Sequence, residues 1–236
     1  MKHPQHIIAF DKTRFGIEGL TGFVGMSSKA FFEYAARSLI IARREELEKD
    51  ERYGQLLPYL VLTKRDQSGG KDHAVFTYQR GKGVGENRLA GASSIGIGGH
   101  VDLEDVVHAD SVIDVVATIA QASSRELREE VDFIHSSTGD VCTYNEVMAS
   151  FIGTEEYDDY LPKFRGMIND VTNPVGRVHY GALFSIEVPE SYDCRCREEE
   201  LQTMGFKLVD RIVGDELDSY ENWSKLVIEL FHQVMP

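Results

Sequence analysis

Along most of the chain, short apolar runs alternate with polar and glycine-rich breaks, but one stretch carries apolar residues at helical spacing. Val112, Val115, Val116, Ile119, Ala120 and Leu127 recur mostly three and four positions apart, so the pattern predicts a helix over 112–131 with Ser111 as its N-cap. Upstream, residues 6–10 (HIIAF) read as a strand, and 11–25 read as loop because glycines stand at 16, 19, 22 and 25. Phe31, Ala35, Leu39 and Ala42 predict a helix capped by Ser27 or Ser28 and running to about Lys49. Residues 59–63 (YLVLT) and 74–78 (AVFTY) flank a polar stretch holding Gly69-Gly70, the pattern of an antiparallel hairpin. In the second half, 177–188 (RVHYGALFSIEV) is the strongest strand pattern and 206–209 a shorter one. Residues 169–176 (NDVTNPVG) carry turn chemistry. Trp223, Leu226, Val227, Leu230 and Phe231 mark the buried side of a closing helix over 218–234. The order of patterns fits an α+β or mixed α/β fold.

Composition narrows the class. The 236 residues are 42% apolar and 27% charged, the profile of a globular chain with one sizeable core. A formal charge of −14 argues against bulk nucleic-acid binding, which needs a basic surface. It leaves room for a small phosphorylated substrate, because a divalent cation can bridge carboxylates to phosphates. Three cysteines, an odd number, give no disulfide framework, and Cys194-Arg195-Cys196 without a second pair is weak support for zinc. There is no apolar run of eighteen residues and no signal-like apolar core in the first ten, so no membrane partner and a cytoplasmic location are expected.

The chemistry concentrates around the long helix. Residues 125–130 read RELREE, and on a helix the offsets place Glu126, Glu129 and Glu130 on one side. Three carboxylates so close repel unless a cation sits among them; a solvated acidic face is the bland reading of the same pattern. Before the helix stands SIGIGGHV (94–101), where Gly98 and Gly99 permit close backbone approach, and His100 is a candidate ligand or a structural histidine. Asp102, Glu104, Asp105, Asp110 and Asp114 put five acids into thirteen positions, an entry loop or part of a metal shell. Earlier still, QRGKGVGENRL (79–89) brings Arg80, Lys82 and Arg88 into a glycine-rich loop able to hold phosphate oxygens or simply to face solvent.

GG-x-V-D followed by R-E-L-x-E-E resembles the Nudix box, which reads glycine, five residues, glutamate, seven residues, then REUxEExGU with U aliphatic. Gly99 stands for the opening glycine and 125–130 match REUxEE throughout, whereas Asp132-Phe133 replaces the final glycine-aliphatic pair. Asp105 falls at the first glutamate counted from Gly99, but nineteen residues separate it from Arg125, so the box is split by about twelve residues; counted back from Arg125, that position is Ala117. The surplus is expected in a longer entry loop and extra turns at the helix start. Residues 55–59 (QLLPY) and 221–224 (ENWS) also resemble Nudix-like phosphoesterases, so the resemblance covers most of the chain.

The resemblance implies an α/β fold, a Nudix-like α/β/α sandwich with a mixed sheet, with residues 1–54 as an amino-terminal extension packed on a catalytic domain of 55–236. It implies Mg2+ or Mn2+ held by Glu126, Glu129 and Glu130, with Asp105 as the nominal fourth ligand or a brace of the loop. Glu129, Glu126 and Arg125 become the catalytic candidates, Arg125 by orienting a glutamate, and the general base is Glu129 or an acid outside the box. Arg80, Arg88, Gly98 and Gly99 become the candidates for holding substrate phosphates. The implied activity is hydrolysis of a phosphoanhydride in a nucleoside diphosphate linked to a group X, or in a related nucleotide. The alternatives are a Nudix-fold protein that binds a nucleotide or metabolite without cleaving it, and an interaction protein with a solvated acidic helix. A homodimer is expected from the apolar stripe of the extension, which the core or a second copy must cover.

Overall fold

The computed structural model describes residues 5–16, 19, 21–65, 73–81 and 91–234. The fold is mixed α/β, a largely mixed sheet with flanking helices, consistent with the sandwich that the resemblance implies. The chain divides into two compact units: one of Met1–Tyr59, Gly98–Glu126 and Phe164–Phe184, the other of Leu60–Ile97, Leu127–Lys163 and Ser185–Pro236.

In the first unit, strand His6–Asp11 pairs antiparallel with Leu39–Arg43 and with the start of Tyr53–Arg65. The helix expected over 27–49 is therefore corrected. Ser27 caps it through the Ala30 N–H (3.2 Å), but it ends at Ser38, and Leu39–Arg43 is a strand. The reason is tertiary: Leu39-Ile40-Ile41-Ala42 finds a complete partner in 7–10, and Ile40 and Ala42 pack on Ile7, Ala9 and Leu47. Pairing and burial here outweigh a helical period that continues from Phe31 and Ala35. The expected loop at 11–25 also holds structure. Asp11 caps the short helix Lys12–Phe15, and Gly22–Val24 pairs with Lys163–Asn169. Phe31 is fully buried and stacks on Phe164 at 4.7 Å between centroids, so the stripe of the extension is covered by its own chain.

In the second unit the expected antiparallel pair forms between Tyr53–Arg65 and His73–Arg80, with Thr63 opposite Val75; Gly69-Gly70 lie outside the described residues. His73–Arg80 also pairs with Leu201–Leu208, the longer form of the strand expected at 206–209. Val131–His135 is flanked by Val141–Cys142 and Tyr192–Cys196. The closing helix is Asn222–Val234, four residues shorter at its start than expected, and buries Val227, Ile228 and Phe231. The strand expected from 177 begins at His179, because Pro174–Val178 is helical with Asn173 as its cap. Among the described residues no helix is long and apolar enough to cross a membrane.

Candidate functional site

The helix bearing RELREE is Val115–Glu130. Asp114 caps it, accepting from the Ala117 N–H at 3.0 Å, so the expected cap at Ser111 is corrected. Ser111 and Asp110 instead have φ of 67° and 49°, both left-handed, and make the tight turn between the paired strands His108–Ala109 and Val112–Ile113. Positive φ at both central residues is the geometry of a two-residue hairpin loop. The segment between Gly99 and the helix thus holds a 3-10 turn, Leu103–Asp105, followed by a hairpin. Val112 and Val116, expected on the buried stripe, are 69% and 53% exposed, and Ala120, expected there too, is also exposed. The stripe runs instead through Val115, Ile119, Ala122, Glu126 and Leu127.

A buried glutamate on an apolar stripe requires a partner, and Arg125 supplies it. Its Nη1 donates to Glu126 Oε1 at 2.7 Å, its Nε and Nη2 donate to the two Asp105 oxygens at 3.0 and 2.8 Å, and Nη2 also donates to the His100 carbonyl at 2.9 Å. Asp105 is 1% exposed, and this bidentate bond is the main reason the arginine holds its proton even more firmly than usual. The Asp102 N–H donates to Asp105 Oδ2 at 2.9 Å, closing the 3-10 turn beneath the guanidinium. One helical turn on, Glu129 is exposed and Glu130 half-buried.

The two glycines are required by close approach. At Gly99 a Cβ would lie 2.6 Å from Glu126 Oε1 and 2.9 Å from its other carboxylate atoms, so the bare backbone forms a cradle for that side chain. At Gly98 φ is +152° and a Cβ would strike the Pro58 carbonyl, which excludes any other residue. The following segment is held on both sides: the Ile8 N–H donates to Val101 O at 2.8 Å, and the Val101 N–H to Leu56 O at 3.4 Å.

In the second unit, Arg80 is not a bare surface cation. Its Nη2 donates to the Tyr78 hydroxyl at 3.3 Å, its guanidinium lies 5.7 Å from that ring's centre, and Nε is 3.9 Å from Glu221 Oε2. Glu221 Oε1 in turn accepts from Ser94 (2.6 Å) and Ser224 (3.2 Å), so ENWS ties the closing helix to the strand at Ser93–Ser94. Tyr78 donates to the Gly96 carbonyl at 2.6 Å; burial pushes its phenol far upward, with Arg80 acting against that shift and the charge of Glu130 adding to it. Arg88 and Lys82 lie outside the described residues. Asp132, in place of the box glycine, is buried and paired with Arg195 and Arg197 at 2.8 and 2.7 Å.

A second constellation escaped the sequence. Glu48, His100 and His179 bring one ligand atom each within 4.8 Å of one another and can chelate a metal ion. His100 Nε2 lies 3.2 Å from His179 Nε2 and 2.9 Å from Gln55 Oε1, and His179 Nε2 lies 3.9 Å from Glu48 Oε1. Burial, reinforced by the positive charges of Arg44 and Arg125 and by His179, lowers the His100 pKa to about 3, so the ring is neutral at ordinary pH. In the sequence His100 stands out only as the residue after Gly-Gly, and nothing local links it to Glu48, Gln55 or His179.

No protein-family model matches the chain. Protein YmaB of Bacillus subtilis is 28% identical over 193 residues, 80% of this chain and 76% of that protein. Among solved structures, Tm1382, a candidate Nudix hydrolase, is similar with a TM-score of 0.67 and 22% identity, over 97% of this chain and 99% of that one. A Nudix hydrolase from Alicyclobacillus acidocaldarius gives a TM-score of 0.47 and 17% identity, over 75% of this chain and 90% of that one. The likeness to Tm1382 shows that this chain shares that protein's fold.

Proposed function

We propose that the protein is a metal-dependent hydrolase of a phosphoanhydride bond, acting on a nucleoside diphosphate linked to a group X or on a related nucleotide. The observation that carries this reading is the seat of Glu126: buried, oriented by Arg125 and cradled by Gly99, on the helix that carries Glu129 and Glu130 one turn further. Oxygen-only donors suit hard ions, so Mg2+ or Mn2+ is the cofactor expected, with Glu126, Glu129 and Glu130 as its ligands. Bound there, such an ion would neutralise phosphate oxygens and acidify a water.

The chain's own residues do the rest. Arg125 fixes the Glu126 carboxylate; Glu129, exposed to solvent, is the candidate base, with an acid outside the box as alternative. Asp105 lies with both oxygens against Arg125, which favours the brace over ligation of the ion. Gly98 and Gly99 are the candidates for backbone contact with substrate, and Arg80 and Arg88 for its phosphates. Residues 1–54 would serve as the extension of a catalytic domain of 55–236. A second reading, binding of a nucleotide or metabolite without cleavage, is favoured by one observation: Asp132 stands where the box has glycine and is locked to Arg195 and Arg197.

Glu130→Gln tests the hydrolase reading, because it removes a ligand charge and almost no volume. The rate should fall about 100-fold or more, the scale lost with one transition-state-stabilising group. The thermal midpoint of the metal-free protein should hold or rise as carboxylate repulsion is relieved. A folded variant hydrolysing at the parent rate would remove this helix end from the chemistry.

A further inference from the structure

We propose that Glu48, His100 and His179, with the Gln55 amide, form a binding site for a divalent transition-metal ion of the zinc type. This stands apart from the hydrolase reading, which needs only carboxylates and a hard ion. Two imidazoles, a carboxylate and an amide oxygen are a mixed nitrogen and oxygen set, which prefers borderline ions such as Zn2+ over Mg2+.

Two observations carry the inference. The first is spacing. Donors about 2.1 Å from a tetrahedral ion stand about 3.4 Å from one another. Here the two Nε2 atoms are 3.2 Å apart and the Glu48–His179 pair 3.9 Å apart, so small side-chain rotations would close the shell. The second is the tautomer. His179 Nδ1 is 2.7 Å from the Val175 carbonyl, which can only accept, so Nδ1 carries the hydrogen and Nε2 offers its lone pair to the cluster. A metal-binding histidine is ordinarily held this way through its other nitrogen. Gln55, fully buried, adds an acceptor at the same place: its Oε1 lies 2.9 Å from His100 Nε2.

The ligands come from distant segments of the first unit: the residue after helix Arg44–Leu47, the strand Tyr53–Arg65, the segment after Gly99, and the first residue of strand His179–Glu187. An ion there would pin the amino-terminal segment to His100, whose carbonyl receives Arg125. It would therefore stiffen the support of the Arg125–Glu126 pair without touching substrate.

The test is titration of chelator-stripped full-length protein with Zn2+ in millimolar Mg2+, read by calorimetry, with Co2+ absorption reporting the ligand type. One ion per chain is expected, with His179→Ala and Glu48→Gln each weakening Kd at least about tenfold, the lower end of what even an outer partner's loss does. Glu130→Gln should leave that Kd unchanged. Glu48 is at the surface and glutamine keeps its volume, so E48Q remains informative if H179A does not fold. The proposal is overturned if the wild type takes up no Zn2+ under these conditions. It is equally overturned if folded E48Q binds as tightly as the wild type, or if E130Q alone abolishes uptake.

Discussion

Arg125 shares its guanidinium among Asp105, Glu126 and the His100 carbonyl, and its side chain is only 13% exposed. Asp105→Asn leaves one acceptor and the volume but removes the charge. Because Glu126 still balances the arginine, the expected loss is about 1.5–3 kcal/mol, the range for a hydrogen bond to a charged group. That is below the ~3–5 kcal/mol of a stranded buried charge. A urea midpoint unchanged from the parent would show that the pair contributes nothing to stability. At this scale legibility followed locality. The helix-face spacing of Glu126, Glu129 and Glu130 could be read because it spans five residues, whereas Glu48, His100 and His179 stand 52 and 79 positions apart and meet only in the fold.

At the scale of elements, periodicity identified five of the described strands and both principal helices, but it missed the other strands, most of them short, and misplaced ends wherever a partner strand or a turn intervened. The run Leu39–Arg43 carries both a helical period and β-branched residues, and its pairing with His6–Asp11 decides between them. The start of the long helix was misread because Val112 and Val116 match the apolar period yet face solvent. The left-handed pair Asp110-Ser111, which turns the chain there, has no glycine to announce it. The segment between Gly99 and the helix therefore holds a 3-10 turn and a hairpin, and the relation of Arg125 to the following glutamates is undisturbed by it.

For the whole molecule, the order of patterns left α+β and mixed α/β open, and the sandwich architecture came through the resemblance. The amino-terminal stripe is covered within the chain at Phe31, but Leu103, Val112 and Val116 leave large apolar side chains exposed on the turn, the hairpin and the first turn of the helix. Exposed apolar surface of that kind often marks an interface, so light scattering should give twice the mass of one chain; one chain's mass across a broad concentration range would end the dimer proposal. A net charge of −14 repels a phosphorylated compound unless a divalent cation bridges the two. The hydrolase reading is tested most directly by product release from nucleoside diphosphate conjugates, with the purified full chain. Stoichiometric phosphorylated products are expected with Mg2+ or Mn2+ and none with chelator. Saturable binding of the same compounds without turnover in either metal would contradict that reading.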